Sequence, residues 1–272
     1  MPGLLSEQQM EQYEREGILF PVDVLSFDEV SFFRTALEDL HERLDGVAAP
    51  QQPHLHFRWA YDLATHPAVL DVVEQILGSD ILVHSTTIFR KRPRDQRYVS
   101  WHQDGYDLGF NEPALVSAWI ALSDSMVENG CLRVVPGTHR RELPHTFTAA
   151  SEHNMLKTGL VVAQDVDEAQ AQEVLLRPGQ MSLHHVNLLH GSNANRSGKE
   201  RIGYAIRYIA GQVMQTAWHY PVVVARGAYA GDHYDLAPHP PSGSIDDGIA
   251  AQLAFSRWLR NVQSSGAKIR VG

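Results

Sequence analysis

The sequence predicts a mainly β protein with flanking helices, in which the helices pack outside one β-sandwich or barrel. Three observations lead there. Helical apolar periodicity fills the first third, short β-rich runs take over from Ile81, and Gly/Pro turns punctuate those runs at Glu128-Asn129-Gly130, Pro136-Gly137 and Pro178-Gly179.

Ser6 followed by Gln9 is a capping box, opening a short helix that carries Met10 and Tyr13 and stops at Gly17. Ile18-Leu19-Phe20-Pro21 reads as a short strand. Ser26 with Glu29 repeats the capping signature, and Val30, Phe33, Leu37, Leu40 and Leu44 form one apolar face. His66-Pro67 opens another helix, apolar at Val69, Val72, Val73, Ile76 and Leu77 and ended by Gly78. Strands are expected at Ile81–Phe89, Leu115–Leu122, Leu132–Val135, Val174–Leu176, Met181–His185 and Arg201–Ile209. The excursion from Leu143 to about Gln172 mixes charge, Ala and Gly, and its length suits a lid or binding loop. Beyond Gly211 the chain reads as loop plus a terminal helix around Ile249 to Val262.

With 272 residues and 43% hydrophobic content the chain can bury a large core, and one domain is expected: helical scaffold about 6–78, β core about 81–210, C-terminal loop and helix 211–272. A net charge of -9 and a pI near 5.9 argue against nucleic acid and anionic membrane as partners and favour a small-molecule substrate. A single cysteine, Cys131, excludes an intramolecular disulfide and fits a small core residue in a reducing compartment. The amino terminus lacks a basic region followed by an apolar one, so a cytoplasmic location is expected.

Chemistry concentrates in Trp101-His102-Gln103-Asp104-Gly105. Along a strand side chains alternate faces, so His102 and Asp104 share one side while Gln103 points to the other. His190 is the candidate third ligand, completing two imidazoles and one carboxylate, the facial set of non-haem Fe(II) sites with open coordination positions. Three open positions accommodate a bidentate 2-oxo acid and O2. A 2-oxo acid with a second carboxylate needs a cation at its far end, and Arg201, eleven residues after His190, offers a guanidinium fork.

Competing readings exist for each residue. His233-Tyr234-Asp235 repeats the His-x-Asp spacing but lies in a Gly/Pro-rich segment with no strand pattern. His184 and His185 lie close enough to compete with His190, and alternation puts one of them inward. In the Arg201 strand, Arg201, Gly203, Ala205 and Arg207 share one face, and the small residues between two cations leave room for a bound acid. The other reading is an edge strand with solvated arginines. Arg90 to Arg97 is the one dense positive cluster, either a solvated hairpin or a clamp for an anionic substrate. Arg207, Gln103 and Arg97 are carried as candidate substrate contacts. Ser192, two residues past His190, could donate its hydroxyl beside Arg201.

Trp101 to Asp104, then Glu128-Asn129-Gly130-Cys131-Leu132-Arg133-Val134-Val135-Pro136-Gly137-Thr138-His139, then His190-Gly191-Ser192 with Arg201, together resemble the phytanoyl-CoA dioxygenase family of Fe(II)/2-oxoglutarate oxygenases over about residues 6 to 210. The resemblance implies a double-stranded β-helix (jelly-roll, cupin-like) core, with His102, Asp104 and His190 as iron ligands, Arg201 as partner of the far carboxylate, and Ser192, Trp119 and, on the preceding strand, Thr87 around the co-substrate. It implies Fe(II), 2-oxoglutarate and O2 as the reactants at the site. Gly130 to His139 stands as a structural signature. Family members that halogenate carry Ala or Gly at the carboxylate position; Asp104 therefore favours hydroxylation, with desaturation, epimerisation or cyclisation using the same site. A metal-dependent sensor and a zinc hydrolase are the readings from other classes; Arg201 counts against the first and the want of a general base against the second.

Overall fold

The computed structural model describes residues 5–44, 50–106, 108–149, 151–156, 158–215, 221–240 and 244–265. Both capping boxes start helices. In the first, Ser6 Oγ accepts from Gln9 N while the Gln9 side chain accepts from Ser6 N, opening α1 (Glu7–Glu16), and Gly17 ends it at φ 76°. β1 (Ile18–Asp23) follows. Glu29 closes the second box at 2.7 Å from Ser26 N and α2 (Phe27–Arg43) buries Val30, Phe33, Leu37 and Leu40. One helix was not expected, α3 (Arg58–Ala64); α4 (Pro67–Leu77) starts at the proline and ends at Gly78 as expected.

The strands are β2 (Ile81–Lys91), β3 (Val99–His102), β4 (Leu115–Ala121), β5 (Leu132–Val134), β6 (His145–Phe147), β7 (Leu160–Val162), β8 (Gln172–Val174), β9 (Gln180–His185), β10 (His190–Ser192), β11 (Arg201–Ala210) and β12 (Val223–Arg226), and α5 (Ile245–Ser265) closes the order. Three expectations shift. β2 runs on to Lys91, the strand expected at 174–176 lies at 172–174, and the tail beyond Gly211 contributes β12, which pairs with β2.

Among the described residues all paired strands run antiparallel, in a six-stranded sheet ordered β1-β9-β4-β11-β2-β12, a four-stranded sheet ordered β3-β10-β5-β8 and the two-stranded β6-β7. The large sheet has two apolar faces. Its outer face, with Tyr204, Ile206, Tyr208, Ala118 and Leu183, packs under α2, α3 and α4 in one continuous core. Tyr204 and Tyr208 explain α3: their hydroxyls donate to the Ala60 and Ala64 carbonyls at 3.1 and 2.7 Å, one helical turn apart. The inner face meets the small sheet through Trp119, Ala121, Leu132, Val134, Val174 and Ala205. That inter-sheet space opens into the site.

The 143–172 excursion holds the β6–β7 hairpin, docked against β3: Ser100 Oγ donates to Leu160 O at 2.6 Å and Tyr98 N to His153 O at 2.8 Å. Residues 150 and 157 of it lie outside the described residues. No side chain that lines the cavity comes from its described part.

Candidate metal and co-substrate site

The antiparallel pairing of β3 with β10 sets His102 directly opposite His190. Both are buried, their rings 4.1 Å apart between centroids, and Asp104 Oδ1 lies 3.4 Å from His102 Nε2 and 4.0 Å from His190 Nε2. Among the described residues this is the group of donors that can close on one metal ion. The backbone fixes the tautomers. His102 Nδ1 lies 2.9 Å from Ser100 O and His190 Nδ1 2.9 Å from Leu188 O; a carbonyl only accepts, so each Nδ1 carries the proton and each Nε2 presents its lone pair. These donors fit a divalent metal.

Burial opposes charge on Asp104, yet Arg207 beside it, with His102 and His190, holds the carboxyl well below its usual range. The Arg207 fork grips both oxygens, Nη2 to Oδ1 at 2.6 Å and Nε to Oδ2 at 2.9 Å, and Ser117 Oγ donates to Oδ2 at 3.0 Å. Burial, with the His102 imidazole beside it, keeps His190 well below the usual histidine range, the neutral form a metal ligand needs. His184, 4.8 Å from His190 between ring centroids, also faces the cavity and is pushed down to about 4 by burial. His185 points elsewhere and packs on His139.

The cavity beside these ligands encloses about 440 Å³, mouth included, and is lined at its other end by Arg201, Ser192, Trp119, Phe89 and Leu132. Arg201 is 2% exposed, and its Nε and Nη2 have no partner among the described residues. An unpaired buried guanidinium calls for an anion. Trp119 lies 5.2 Å from its Cζ, within cation–π reach. The room above Gly203 is filled by that indole rather than left for an acid: a Cβ there would sit 1.8 Å from Trp119 Cζ2. Thr87 stands opposite Ala205, so its side chain lies on the cavity side of β2, but it is not among the lining residues.

Sequence reasoning missed Lys91. Two residues past Phe89 on the same face of β2, it is fully buried and its Nζ donates to Ser192 Oγ at 2.7 Å, to Gly130 O at 3.3 Å and to Asn193 O. Burial, then Arg201, pushes it down to about 6. As an ammonium it gives one N–H to each of these three partners, and an anion bound beside Arg201 would favour that form. Its signal was alternation from Phe89, hidden inside a run of charges.

The substrate contacts expected from sequence need correction. Gln103 is fully buried and spends its amide on the backbone: Nε2 donates to Thr138 O, Arg141 O and Asn187 O, and Oε1 accepts from Leu143 N at 2.7 Å. It stitches loops. Arg97 binds Asp95 at 2.5 Å and Arg90 O at 3.0 Å outside the cavity. Arg207 lines the cavity but is committed to Asp104. Arg90 is paired to Glu200 and Lys91 is buried, so the exposed cations of the Arg90–Arg97 run are Arg92 and Arg94, neither of which lines the cavity. His233 bonds Val213 O at 3.0 Å, apart from the ligand cluster.

A family model for phytanoyl-CoA dioxygenase (PhyH) matches residues 3–203. The chain belongs to the phytanoyl-CoA dioxygenase family. Among its relatives, the ectoine dioxygenase of Halomonas elongata is 31% identical over 227 residues, 73% of this chain and 68% of that protein. A probable phytanoyl-CoA dioxygenase of Caenorhabditis elegans is 28% identical over 241 residues, 76% of each. Among solved structures, the apo form of the non-heme monooxygenase ThoJ superposes with a TM-score of 0.78 at 29% identity, covering 93% of this chain and 98% of that one. The non-heme alpha ketoglutarate dependent carbocyclase SnoK from nogalamycin biosynthesis shares the fold, TM-score 0.63 at 24% identity, over 89% of this chain and 95% of its own. The jelly-roll expectation agrees with these neighbours. As a member of the phytanoyl-CoA dioxygenase family the protein is an oxidoreductase, an iron- and 2-oxoglutarate-dependent oxygenase.

Proposed function

We propose that the protein hydroxylates an unactivated C–H bond of a compact metabolite or natural-product intermediate, with His102, Asp104 and His190 holding iron and Arg201 and Ser192 receiving the far carboxylate of 2-oxoglutarate. One observation carries this reading: two imidazoles with fixed tautomers and a carboxylate converge at one end of a cavity whose other end holds an unpartnered buried guanidinium. A dicarboxylic 2-oxo acid has the donors to answer both ends. When bound, iron and 2-oxoglutarate couple the reduction of O2 to oxidative decarboxylation, releasing succinate and CO2 while the substrate is oxidised.

The chain's own residues do the remaining work. Ser100 and Leu188 carbonyls hold the imidazole protons away from the metal, and Ser117 with Arg207 orients the carboxylate. Trp119 stacks against Arg201 and, with Phe89 and Leu132, excludes water from the far carboxylate. Asp104 occupies the position that halogenating relatives leave open. The net charge of -9 favours a compact substrate over a polyanionic ester, and the relatives include proteins named for ectoine and for hypophosphite.

Anaerobic addition of Fe(II) and 2-oxoglutarate tests the reading through the visible charge-transfer absorption of the chelate. Wild type develops the band and Arg201→Ala weakens it. Bound iron without a band in wild type would overturn the proposal.

A further inference from the structure

Lys91 closes β2 opposite Arg201, the residue that opens β11, so two cations stand side by side at one end of the cavity. Both are buried, and neither has a carboxylate in ion-pair reach among the described residues. Asp95, the carboxylate that acts on both, is engaged by Arg97. Two buried positive charges without an anion are costly unless something neutralises them.

The contacts of Lys91 say how it reaches the cavity, which it does not itself line. Its three N–H groups have three acceptors, Ser192 Oγ, Gly130 O and Asn193 O. A serine hydroxyl has one hydrogen to give and two lone pairs. With one lone pair taken by the ammonium, the Ser192 hydrogen is left for an acceptor on the cavity side, where Ser192 does line the wall. The turn ahead of β5 is shaped for this arrangement. Gly130, at φ +76°, lets its carbonyl approach: a Cβ there would lie 2.3 Å from Asn193 O and 3.1 Å from Lys91 Nζ. Part of the Glu128 to His139 signature is thus the cradle of Lys91.

We propose that Lys91 is a positioning residue for the co-substrate: its ammonium, behind Ser192 and beside Arg201, aims the Ser192 hydroxyl at the far carboxylate and makes the pocket select a 2-oxo diacid over a 2-oxo monoacid. The proposal rests on the assignment of Arg201 and Ser192 to that carboxylate. A monoacid such as 2-oxobutyrate reaches the metal but leaves both cations unanswered, so the difference between the two acids isolates this end of the site.

The test is calorimetric titration of Mn(II)-loaded protein, without O2, with 2-oxoglutarate and with 2-oxobutyrate. Lys91→Met is expected to weaken 2-oxoglutarate binding about ten-fold, the size of one charge-assisted hydrogen bond, while 2-oxobutyrate and Mn(II) affinities stay at wild-type values. Ser192→Ala lowers the diacid preference likewise, and the double variant loses little beyond either single one, because both act on one hydroxyl. A K91M protein in which both acids, or the metal, weaken together would reduce Lys91 to a structural staple and overturn the proposal, as would an unchanged preference. Should K91M fail to fold, S192A decides alone: an unchanged preference sinks the proposal. A wild type that does not distinguish the two acids, with Arg201→Ala equally indifferent, would instead overturn the co-substrate site itself.

Discussion

Arg207 grips both carboxylate oxygens of Asp104, with Nη2 2.6 Å from Oδ1 and Nε 2.9 Å from Oδ2. Because Oδ1 is also the oxygen nearest both ligand imidazoles, the guanidinium and a metal share one carboxylate. Arg207→Leu leaves that carboxylate buried and unpaired, which costs about 3 kcal/mol in metal-free protein. Asp104 is held below its usual range, so its stabilising contribution is full above the ordinary carboxylate pKa and is lost as pH falls through the folded value. In R207L the acid-unfolding midpoint of metal-free protein moves up in pH; an unmoved midpoint would show that the pair contributes nothing.

Asp104→Ala removes the anionic ligand and strands Arg207 without a partner. Equilibrium dialysis with Fe(II) is expected to show binding weakened by at least about ten-fold, with substrate oxidation abolished. Full turnover by D104A would withdraw the ligand assignment.

Gln103→Leu keeps the volume but strands the Leu143 N–H and three loop carbonyls. Unsatisfied buried groups predict a loss of about 2–4 kcal/mol in chemical denaturation. Since Gln103 does not face the cavity, 2-oxoglutarate affinity per metal-loaded molecule stays within about two-fold of wild type. A large affinity change without destabilisation would restore it as a ligand contact.

Gly203→Ala drives a methyl into the Trp119 ring, 1.8 Å from Cζ2. The indole must leave its place over Arg201, so thermal stability falls and the KM for 2-oxoglutarate rises, while Fe(II) affinity holds. Trp119→Phe in the G203A background is expected to recover part of the stability by vacating the clash.

Local chemistry made much of this legible from sequence. Two capping boxes and Pro67 with Gly78 marked three helices, and alternation placed His102 and Asp104 on one face. The family motifs pointed to His190 over His184, a choice spacing alone left open. What stayed hidden depends on tertiary partners. α3 has no side-chain cap and is too short for periodicity to speak; two tyrosines from β11 hold it. Lys91 was masked by its charged neighbours, because one residue of a basic run turning inward is a matter of strand length. Arg207 pointed toward the cavity as alternation required, but its engagement with Asp104 could not be read without the second strand. The space over Gly203 was visible, and its occupant came from β4.

β10 is three residues long, and no two of them serve the same end. His190 presents a metal ligand, Gly191 lets the neighbouring backbone come near, with Val99 O 2.9 Å from where its Cβ would be, and Ser192 faces the cavity. A one-residue insertion or deletion beside this strand would put the wrong side chain in each place, whereas the docked β6–β7 hairpin can change length without altering any of them. Descendants of this sequence therefore have more room for indels between β6 and β7 than around residues 188–193, where each shift displaces a ligand or a cavity residue.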